Sequence, residues 1–316
     1  MKKKKIAYIS LTADTIHHGH MKLLEKAREY GDITIGLMTS SAVAAFKRIP
    51  ILTFDQRKKI LLNFMGVKKV IKQESWDYSQ YIKQHKPDYL IHGDDWKVGY
   101  QKEIRDKVIK ALKSYGGKLI EIPYTKGISS SALSFQLTSN SLTPDIRRNM
   151  LRRLIEAKPI SRFIEAHSPL SALIGEKSLF EKKGKTSSFD GFWSSSLTDS
   201  TRVGKPDIEF LNLSERLSNI DNIFDVTSKP LIMDIDTGGK IEHLKLNIRS
   251  MERLGISAVV MEDKTGLKKN SLNETTSSQK QEKIKNFCEK IEQINKSKLN
   301  DEFMVIARIE SFILEK

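Results

Sequence analysis

Twice along this chain of 316 residues, short apolar, β-branched runs alternate with longer amphipathic ones, and that rhythm limits the possible folds more than any other feature. The first series has strand-like pieces at Ile6–Leu11, Ile33–Thr39, Val67–Ile71, Tyr89–His92 and Lys118–Pro123. Helix-like stretches fall between them at Met21–Tyr30, Phe54–Phe64 and Lys102–Tyr115, the last stopped by Gly116 and Gly117. A βαβα series of this kind predicts a parallel, Rossmann-like sheet covered by helices, with ligands bound at the carboxyl ends of the strands. The periodicity lapses over "TSNSLTPD" at 138–145 and resumes in the amphipathic "IRRNMLRRLIEA". A second series follows, with strand candidates at Phe163–Ala166, Phe189–Ser194, Pro230–Asp236, Ala258–Asp263 and Phe303–Glu310 and helices such as Ile241–Leu254 and Gln281–Ile294. Polar residues close most of these strands, the pattern of an enzymatic (β/α) barrel. The expected organisation is an α/β chain with a nucleotide-binding domain over 1–138, a linker and leading helix over 139–160, and a partial barrel over 161–316.

Composition narrows the function classes. A hydrophobic content of 39% suffices for real cores, and the longest apolar runs, such as Lys59–Met65 and Phe303–Ile309, fall far short of a membrane span. The Lys2–Lys5 run leads into a strand-like segment, not a signal-peptide core, so the expectation is a cytoplasmic protein. Its one cysteine, Cys288, excludes an internal disulfide framework and a cysteine-based zinc site. The net charge of +15 is concentrated early, with 25 Lys/Arg against 13 Asp/Glu in residues 1–140 and 29 against 26 thereafter. No basic stripe interleaved with aromatics accompanies it, so nucleotides and other small phosphates are expected as ligands and nucleic acid is not; a merely solvated lysine-rich surface stays open.

In "ADTIHHGHMK" three histidines and a glycine follow a short apolar run. A loop that leaves a strand and opens a helix binds anions through backbone N–H groups and the helix dipole, Gly19 allows close approach, and His17 and His20 can donate to a phosphate as charge builds on it. Spacing alone leaves chance clustering open; a metal site is disfavoured because no nearby carboxylate pair completes a ligand set. The wider sequence resembles the cytidylyltransferase family of nucleotidyltransferases, through "TADTIHHGHMKLLEKAREYGD", "FKRIP…TFDQRKKIL", "IHGDDWK" and "PYTKGISSSAL" in order. In such enzymes a phosphate or phosphonate oxygen attacks the α-phosphorus of CTP and magnesium pyrophosphate leaves. The resemblance implies that His17 and His20 stabilise the transition state, Lys47 neutralises phosphate charge, and Arg57, Gly93, Asp94 and Trp96 help shape the nucleotide pocket. Ile128, Ser129, Ser130 and Ser131 would offer hydroxyls and amides to the phosphates. His18 matches no fixed family position and is expected to be structural. The family's glycerol-phosphate enzymes carry an arginine where this chain has Tyr124, so their acceptor is not carried over.

The second series carries a different chemistry. In "LIMDIDTGG" Asp234 and Asp236 stand at i and i+2, point the same way from a strand end, and repel one another unless a cation lies between them. Glu262, closing the next strand, adds a third carboxylate, and hard oxygen ligands suit Mg²⁺, although an isolated D-x-D also occurs in surface turns. This half resembles the phosphoenolpyruvate mutase family of the isocitrate lyase superfamily, through "EAHSPLSALI", "FDGFWSSSLTDSTRVGKPDIE", "MDIDTGG", "EDKTGLKKNS" and "FMVIARIES". Glu262-Asp263-Lys264 followed five residues later by Asn270-Ser271 is the pattern of the true mutases, and the cysteine that lyases of the superfamily use after this strand is absent between 262 and 271. The resemblance implies that Asp234 binds Mg²⁺ directly, with Asp236 and Glu262 acting through waters. It also implies that Asp207 is the phosphoryl acceptor or an orienting carboxylate, and that Ser195, Ser196 and Leu197 hold substrate oxygens. Arg308 would pair with the anionic substrate, while Lys268 and Asn270 would lie on a gating loop.

Together the resemblances imply a bifunctional enzyme of phosphonate biosynthesis, with phosphoenolpyruvate, CTP and a phosphonate as substrates, Mg²⁺ as cofactor and a homo-oligomeric assembly. The alternatives are a phosphonopyruvate hydrolase or carbon–carbon lyase in place of the mutase, or a cytidylyltransferase for a sugar or polyol phosphate with a non-catalytic appendage. Five strand candidates stand where a closed barrel has eight, so the further expectation is a truncated chain whose mutase half does not work alone.

Overall fold

The first sheet is ordered by which strands can be buried on both faces. In the computed structural model, which describes residues 4–97, 101–123, 143–182, 185–266, 268 and 280–311, β1 (Ile6–Leu11), β2 (Asp32–Met38), β3 (Val67–Gln73), β4 (Tyr89–Gly93) and β5 (Lys118–Ile122) lie in the order β3-β2-β1-β4-β5. All of these pairings are parallel. Central β1 is apolar on both sides, with Ala7, Tyr8 and Ile9 removed from solvent. The edge strand β3 instead exposes Lys68, Lys69 and Lys72, charges that discourage another strand from pairing there. The order reverses between β1 and β4, the place where a doubly wound sheet opens a crevice for ligands.

Capping explains where the covering helices start. Helix α1 (His18–Arg28) begins three residues earlier than periodicity suggested, because His17 acts as its N-cap: the imidazole Nδ1 accepts from Gly19 N at 3.1 Å. Thr39 caps the five-residue α2 (Ser40–Ala44), and a Thr53–Gln56 capping box starts α3 (Phe54–Leu62). Helix α4 (Ser79–His85) joins α2 as an element the sequence reading did not anticipate, since neither is long enough to display a repeat. Helix α5 (Gln101–Lys113) completes the layer.

The second unit starts with α6 (Pro144–Ala157), which carries proline at its first helical position. Strands β6 (Phe163–Glu165), β9 (Gly191–Ser194), β10 (Leu231–Asp234), β11 (Ala258–Glu262) and β14 (Met304–Arg308) form a second parallel sheet in sequential order, as along a barrel wall. Two hairpins interrupt the series: β7 (Phe180–Lys182) with β8 (Lys185–Ser187), and β12 (Lys264–Thr265) with β13 (Lys280–Gln281). The intervening helices are α7 (Pro169–Lys177), α8 (Ser196–Arg202), α9 (Leu213–Phe224), α10 (Ile241–Leu254) and α11 (Ile284–Ser297). By spatial clustering, residues up to 137 and the 180–187 hairpin form one unit, and the rest of the chain the other.

Alternation along the strands separates two apolar layers. Phe192, Leu231, Met233, Val259 and Met261 pack with helix residues such as Ile220, Ile248, Phe287 and Ile294. Trp193, Ile232, Ala258, Val260 and Met304 face the other way and meet Leu151 of α6. Among the described residues no helix is long and apolar enough to cross a membrane.

Arg57 shows how the first unit fixes its loops. Its guanidinium is fully buried and donates to the carbonyls of Thr12 (2.6 Å), Met38 (2.8 Å) and Leu52 (3.3 Å), joining the ends of β1 and β2 to the turn before α3. Replacing it strands several buried acceptors, so Arg57→Met should lose on the order of 3 kcal/mol of stability. Arg57→Lys, with one point donor in place of a fork, should recover little of it. Urea unfolding of both variants checks this, and an unchanged midpoint contradicts it.

Candidate active sites

The crevice of the first unit is a cavity of ≈ 220 Å³ whose floor comes from four strand ends: Ser10 and Leu11 of β1, Met38 of β2, His92 and Gly93 of β4, and Ile122 of β5. His17, Gly19, His20, Lys47, Asp95 and Trp96 line it as well, so four of the expected site residues besides the histidine pair's glycine converge with Gly93. The two histidines form a reciprocal cap, with His17 N donating to His20 Nδ1 at 3.3 Å while His17 Nδ1 accepts from Gly19 N. An imidazole whose Nδ1 accepts carries its proton on Nε2 when neutral, so in both rings the donor is Nε2–H. Their centroids are 4.0 Å apart. Burial, then the neighbouring imidazole, lowers the pKa of His20 to about 4, and burial also lowers that of His17. Both are therefore neutral donors at neutral pH. His18 is exposed and lies outside the cavity lining.

Lys47 places its ammonium 5.2 Å from the centre of the Trp76 ring. Desolvation there lowers its pKa, while Asp95 acts in the opposite sense. Trp96 is buried and stacks on His92 at 3.8 Å, and its Nε1 donates to Glu121 at 2.8 Å. Glu121 in turn accepts two hydrogen bonds from Arg105, at 2.8 and 3.0 Å, which with the Trp96 contact hold its pKa down to about 2. That fork fixes the indole edge. His92 Nδ1 lies 2.7 Å from Gly93 O, which can only accept, so this ring is the opposite tautomer to His17 and His20.

Two expected residues act differently from a lining role. Arg57 is outside the cavity and shapes it by holding the carbonyls of Thr12 and Met38, both of which line it. Asp94 opens a 3₁₀ turn over Asp94–Lys97, and it is Asp95 that reaches the cavity. Ile128, Ser129, Ser130, Ser131 and Tyr124 lie outside the described residues. Sequence reasoning passed over His92, although it shares strand parity with Leu90, which packs in the same cluster as Trp96.

In the second unit the same parity builds the rim. Residues two or four beyond the inner-facing Trp193, Ile232, Val260 and Met304 are Ser195, Asp234, Glu262 and Arg308. Backbone turning then adds Asp236, which sits in the left-handed region (φ +56°) and donates its N–H to Asp234 Oδ1 at 2.9 Å. Gly238 completes that turn at φ +76°, with Met261 Sδ occupying the space a Cβ would need. Ser195 stands at the N-cap position of α8 without a side-chain capping bond, and Ser196 and Leu197 begin its first turn.

Four cations face these carboxylates. Lys268 Nζ donates to Asp207 Oδ1 and Ser196 Oγ, each at 2.8 Å, and pairs closely with Asp236. Ser196 Oγ donates onward to Asp234 at 3.3 Å. Arg308 lies 3.4 Å from Glu262 and 3.9 Å from Asp234 and pairs with Glu310. Lys264 is 3.3 Å from Glu262, and Arg216 binds Asp199 at 2.9 Å and reaches Asp236 at 3.6 Å. Burial, then Asp236, raises the pKa of Asp234; burial also raises that of Glu262 against the pull of Lys264, Lys268 and Arg308. For Lys268 burial works downward, but Asp236 and Asp207 hold its pKa above the ordinary lysine value. Arg216, Asp199 and Glu310 are site residues the sequence reading missed, and Lys264 entered it only within the Glu262-Asp263-Lys264 motif, without a role of its own. Asn270 lies outside the described residues.

Among the described residues no three carboxylate, imidazole or thiolate side chains converge into a chelating set. Asp234, Asp236 and Glu262 nevertheless fit a hydrated divalent cation. Both carboxylate oxygens of Glu262 are buried and accept no hydrogen bond among the described residues, although Lys264 and Arg308 lie 3.3 and 3.4 Å from one of them, and a small hard cation meets such oxygens through its own waters.

Comparison with known proteins separates the same two halves. Residues 151–316 match the family model for phosphoenolpyruvate phosphomutase, and residues 12–134 match the cytidylyltransferase-like model. The second half is 30% identical over 168 residues to a phosphoenolpyruvate phosphomutase of Tetrahymena pyriformis, covering 53% of each chain. It is 33% identical over 168 residues to a phosphonopyruvate hydrolase of a Variovorax species, covering 53% of this chain and 54% of that one. The chain thus spans about half the length of these two relatives. The first half is 33% identical over 139 residues to a glycerol-3-phosphate cytidylyltransferase of Bacillus spizizenii, covering 43% of this chain and 98% of that one.

The His20 geometry sets a pH dependence. Unfolding returns its pKa from about 4 to the ordinary 6.5, so the unfolded chain binds more protons between those values and the folded state loses stability as pH falls through them. The His20 C2 proton should titrate near pH 4 by NMR, and His20→Asn should flatten the acid loss of stability. A midpoint at or above 6.5 contradicts this.

Proposed function

Because the chain belongs to the phosphoenolpyruvate phosphomutase family, we propose that its second unit interconverts phosphoenolpyruvate and phosphonopyruvate, and that its first unit transfers CMP from CTP to a phosphonate. The observation that carries the reading of the first unit is the pair of imidazoles, each with its Nδ1 held by a backbone N–H, beside Lys47 in one cavity. A phosphonate oxygen forms a bond to the α-phosphorus of CTP while the bond to the bridging oxygen breaks and pyrophosphate leaves. His17 and His20 donate to the oxygens that gain charge, and Lys47 offsets the charge of the phosphates. Trp96 and Gly93 shape the nucleotide's side of the crevice, and Ser129, Ser130, Ser131 and the Ile128 amide serve the phosphates.

The second half rests on Asp207, Asp234, Asp236, Glu262 and Arg308 meeting at one rim. When bound there, Mg²⁺ would be held by Asp234 directly and by Asp236 and Glu262 through waters, and would supply positive charge to the substrate's oxygens. Arg308 pairs with the substrate carboxylate, Ser195, Ser196 and Leu197 hold its oxygens, and Asp207 orients the phosphoryl group as its P–O bond breaks and a P–C bond forms. Lys268 and Asn270 help exclude water from that transfer. A second reading, hydrolysis of phosphonopyruvate to pyruvate and phosphate, is supported by the 33% identity to the Variovorax enzyme. The Glu262-Asp263-Lys264 and Asn270-Ser271 spacing favours the mutase.

Phosphorus NMR of the protein with CTP, Mg²⁺, phosphonopyruvate and a panel of phosphonates tests both halves. The expected product of the first unit is a CMP-phosphonate with pyrophosphate; from phosphonopyruvate, phosphoenolpyruvate selects the mutase and inorganic phosphate the hydrolase. His17→Ala and His20→Ala should each lower CMP transfer at least about a hundredfold, as loss of one oxyanion donor does, whereas His18→Ala should keep most of it. Equal losses from all three would overturn the assignment of the pair.

A further inference from the structure

Among the described residues between 4 and 123, the large apolar side chains left exposed gather in one place: Ile60 at 39%, Leu62 at 44% and Met65 at 77%. They mark the end of α3 and the turn into β3, at the amino ends of the strands and so at the pole opposite the crevice. Helix α3 buries Arg57 and Leu61, which turns Lys58, Lys59 and Leu62 to solvent. Past the turn, the register of β3 shifts: Val67 pairs with Ile33 but Lys69 with Thr34, so Lys68 is an extra residue. That bulge leaves two consecutive lysines exposed where a regular strand would send them to opposite faces. Arg28 of α1 joins them, its Nη1 lying 3.1 Å from Met65 Sδ. Among the described residues none of Arg28, Lys58, Lys59, Lys68 and Lys69 forms an ion pair. Glu25 and Asp55 lie a turn back along α1 and α3, while Glu29 is engaged by Lys26 at 2.6 Å and Asp32 by Lys4 at 3.8 Å, so positive charge prevails at this corner.

We propose that this corner docks the first unit on an anionic phospholipid surface, with Met65 and Leu62 entering among the head groups and the five cations meeting their phosphates. Charge complementarity favours that occupant: unpaired basic side chains around an apolar tip suit a surface that is negative outside and apolar beneath. The basic excess of residues 1–140, 25 Lys/Arg against 13 Asp/Glu, adds attraction at longer range. A second copy fits less well, because a two-fold contact brings the same cations face to face, and the charged bulge blocks strand addition along the β3 edge. Nucleic acid would meet the cations too, but the exposed side chains among them are aliphatic and offer no stacking platform. Since the crevice is built from the opposite ends of the strands, its mouth stays free while the corner is bound.

Co-sedimentation of the full chain with lipid vesicles tests the docking. At low salt the wild type should bind vesicles of equal parts phosphatidylglycerol and phosphatidylcholine, leave them at high salt, and ignore phosphatidylcholine alone; these readings depend on no variant's folding. Lys68→Glu combined with Lys69→Glu should weaken binding at least about tenfold. Lys102→Glu combined with Lys110→Glu makes the same charge change at exposed positions of α5 and should stay within about twofold of the wild type. Met65→Ser, which leaves the charge alone, should weaken binding about threefold or more. Absence of binding to the anionic vesicles, equal losses in the two double variants, or undiminished binding by Met65→Ser overturns the proposal. A wild-type dimer that Met65→Ser dissociates, seen by light scattering, would overturn it in favour of a second copy. Capture of duplex DNA in place of vesicles, lost in Lys68→Glu with Lys69→Glu, would overturn it in favour of nucleic acid.

Discussion

Like charges gathered at the carboxyl ends of parallel strands are the constraint on which the second unit depends. Asp234, Asp236, Glu262 and Asp207 are nearly or wholly removed from solvent, and such a set is stable only if each charge finds a partner. The chain supplies partners from every direction: Lys268 from the segment after β11, Lys264 from β12, Arg308 from β14 and Arg216 from α9. Their arrangement explains details that look unrelated, such as the left-handed backbone at Asp236 and the glycine two residues on. Both let the chain turn sharply enough to bring a second carboxylate beside the first.

The first unit lines its crevice by the opposite route. Burial, helped by a neighbouring imidazole in each case, lowers the pKa of both histidines, so they present N–H groups without a fixed positive charge. Lys47, depressed in pKa by desolvation, brings the one flexible cation of the trio. The supporting contacts are correspondingly neutral or internally balanced: a cap at α1, carbonyls gathered by Arg57, and an indole edge pinned by the Glu121–Arg105 fork. One unit uses opposed full charges and the other uses oriented dipoles, and both place them where parallel strands end.

How much of this could be read from residues alone differed by scale. The two parallel sheets and the convergence of His17, His20, Lys47 and Gly93 follow from period and motif, because alternation and a strand-to-helix turn are local properties. Asp95 in place of Asp94 could not be read, because a single 3₁₀ turn decides which of two adjacent carboxylates faces the cavity. That Arg57, expected to help shape the nucleotide pocket, is a buried tie among carbonyls could not be read, since its partners lie 5, 19 and 45 residues away. Arg216 was missed for the same reason: a buried ion pair between distant elements leaves no periodic trace.

The leading helix bears on how the protein can be divided. Leu151 of α6 lies among Ile232, Ala258 and Val260, Ser257 donates to the Arg147 carbonyl at 2.9 Å, and Arg148 donates to Glu252 O at 2.8 Å. By sequence this segment read as a connector, yet it closes the amino-terminal mouth of the strands whose other ends carry the chemistry. A fragment that begins near residue 160 would expose that apolar floor to water, whereas one that begins before Pro144 keeps it covered. The workable seam between the two units therefore lies on the near side of the helix, and α6 travels with the half it plugs.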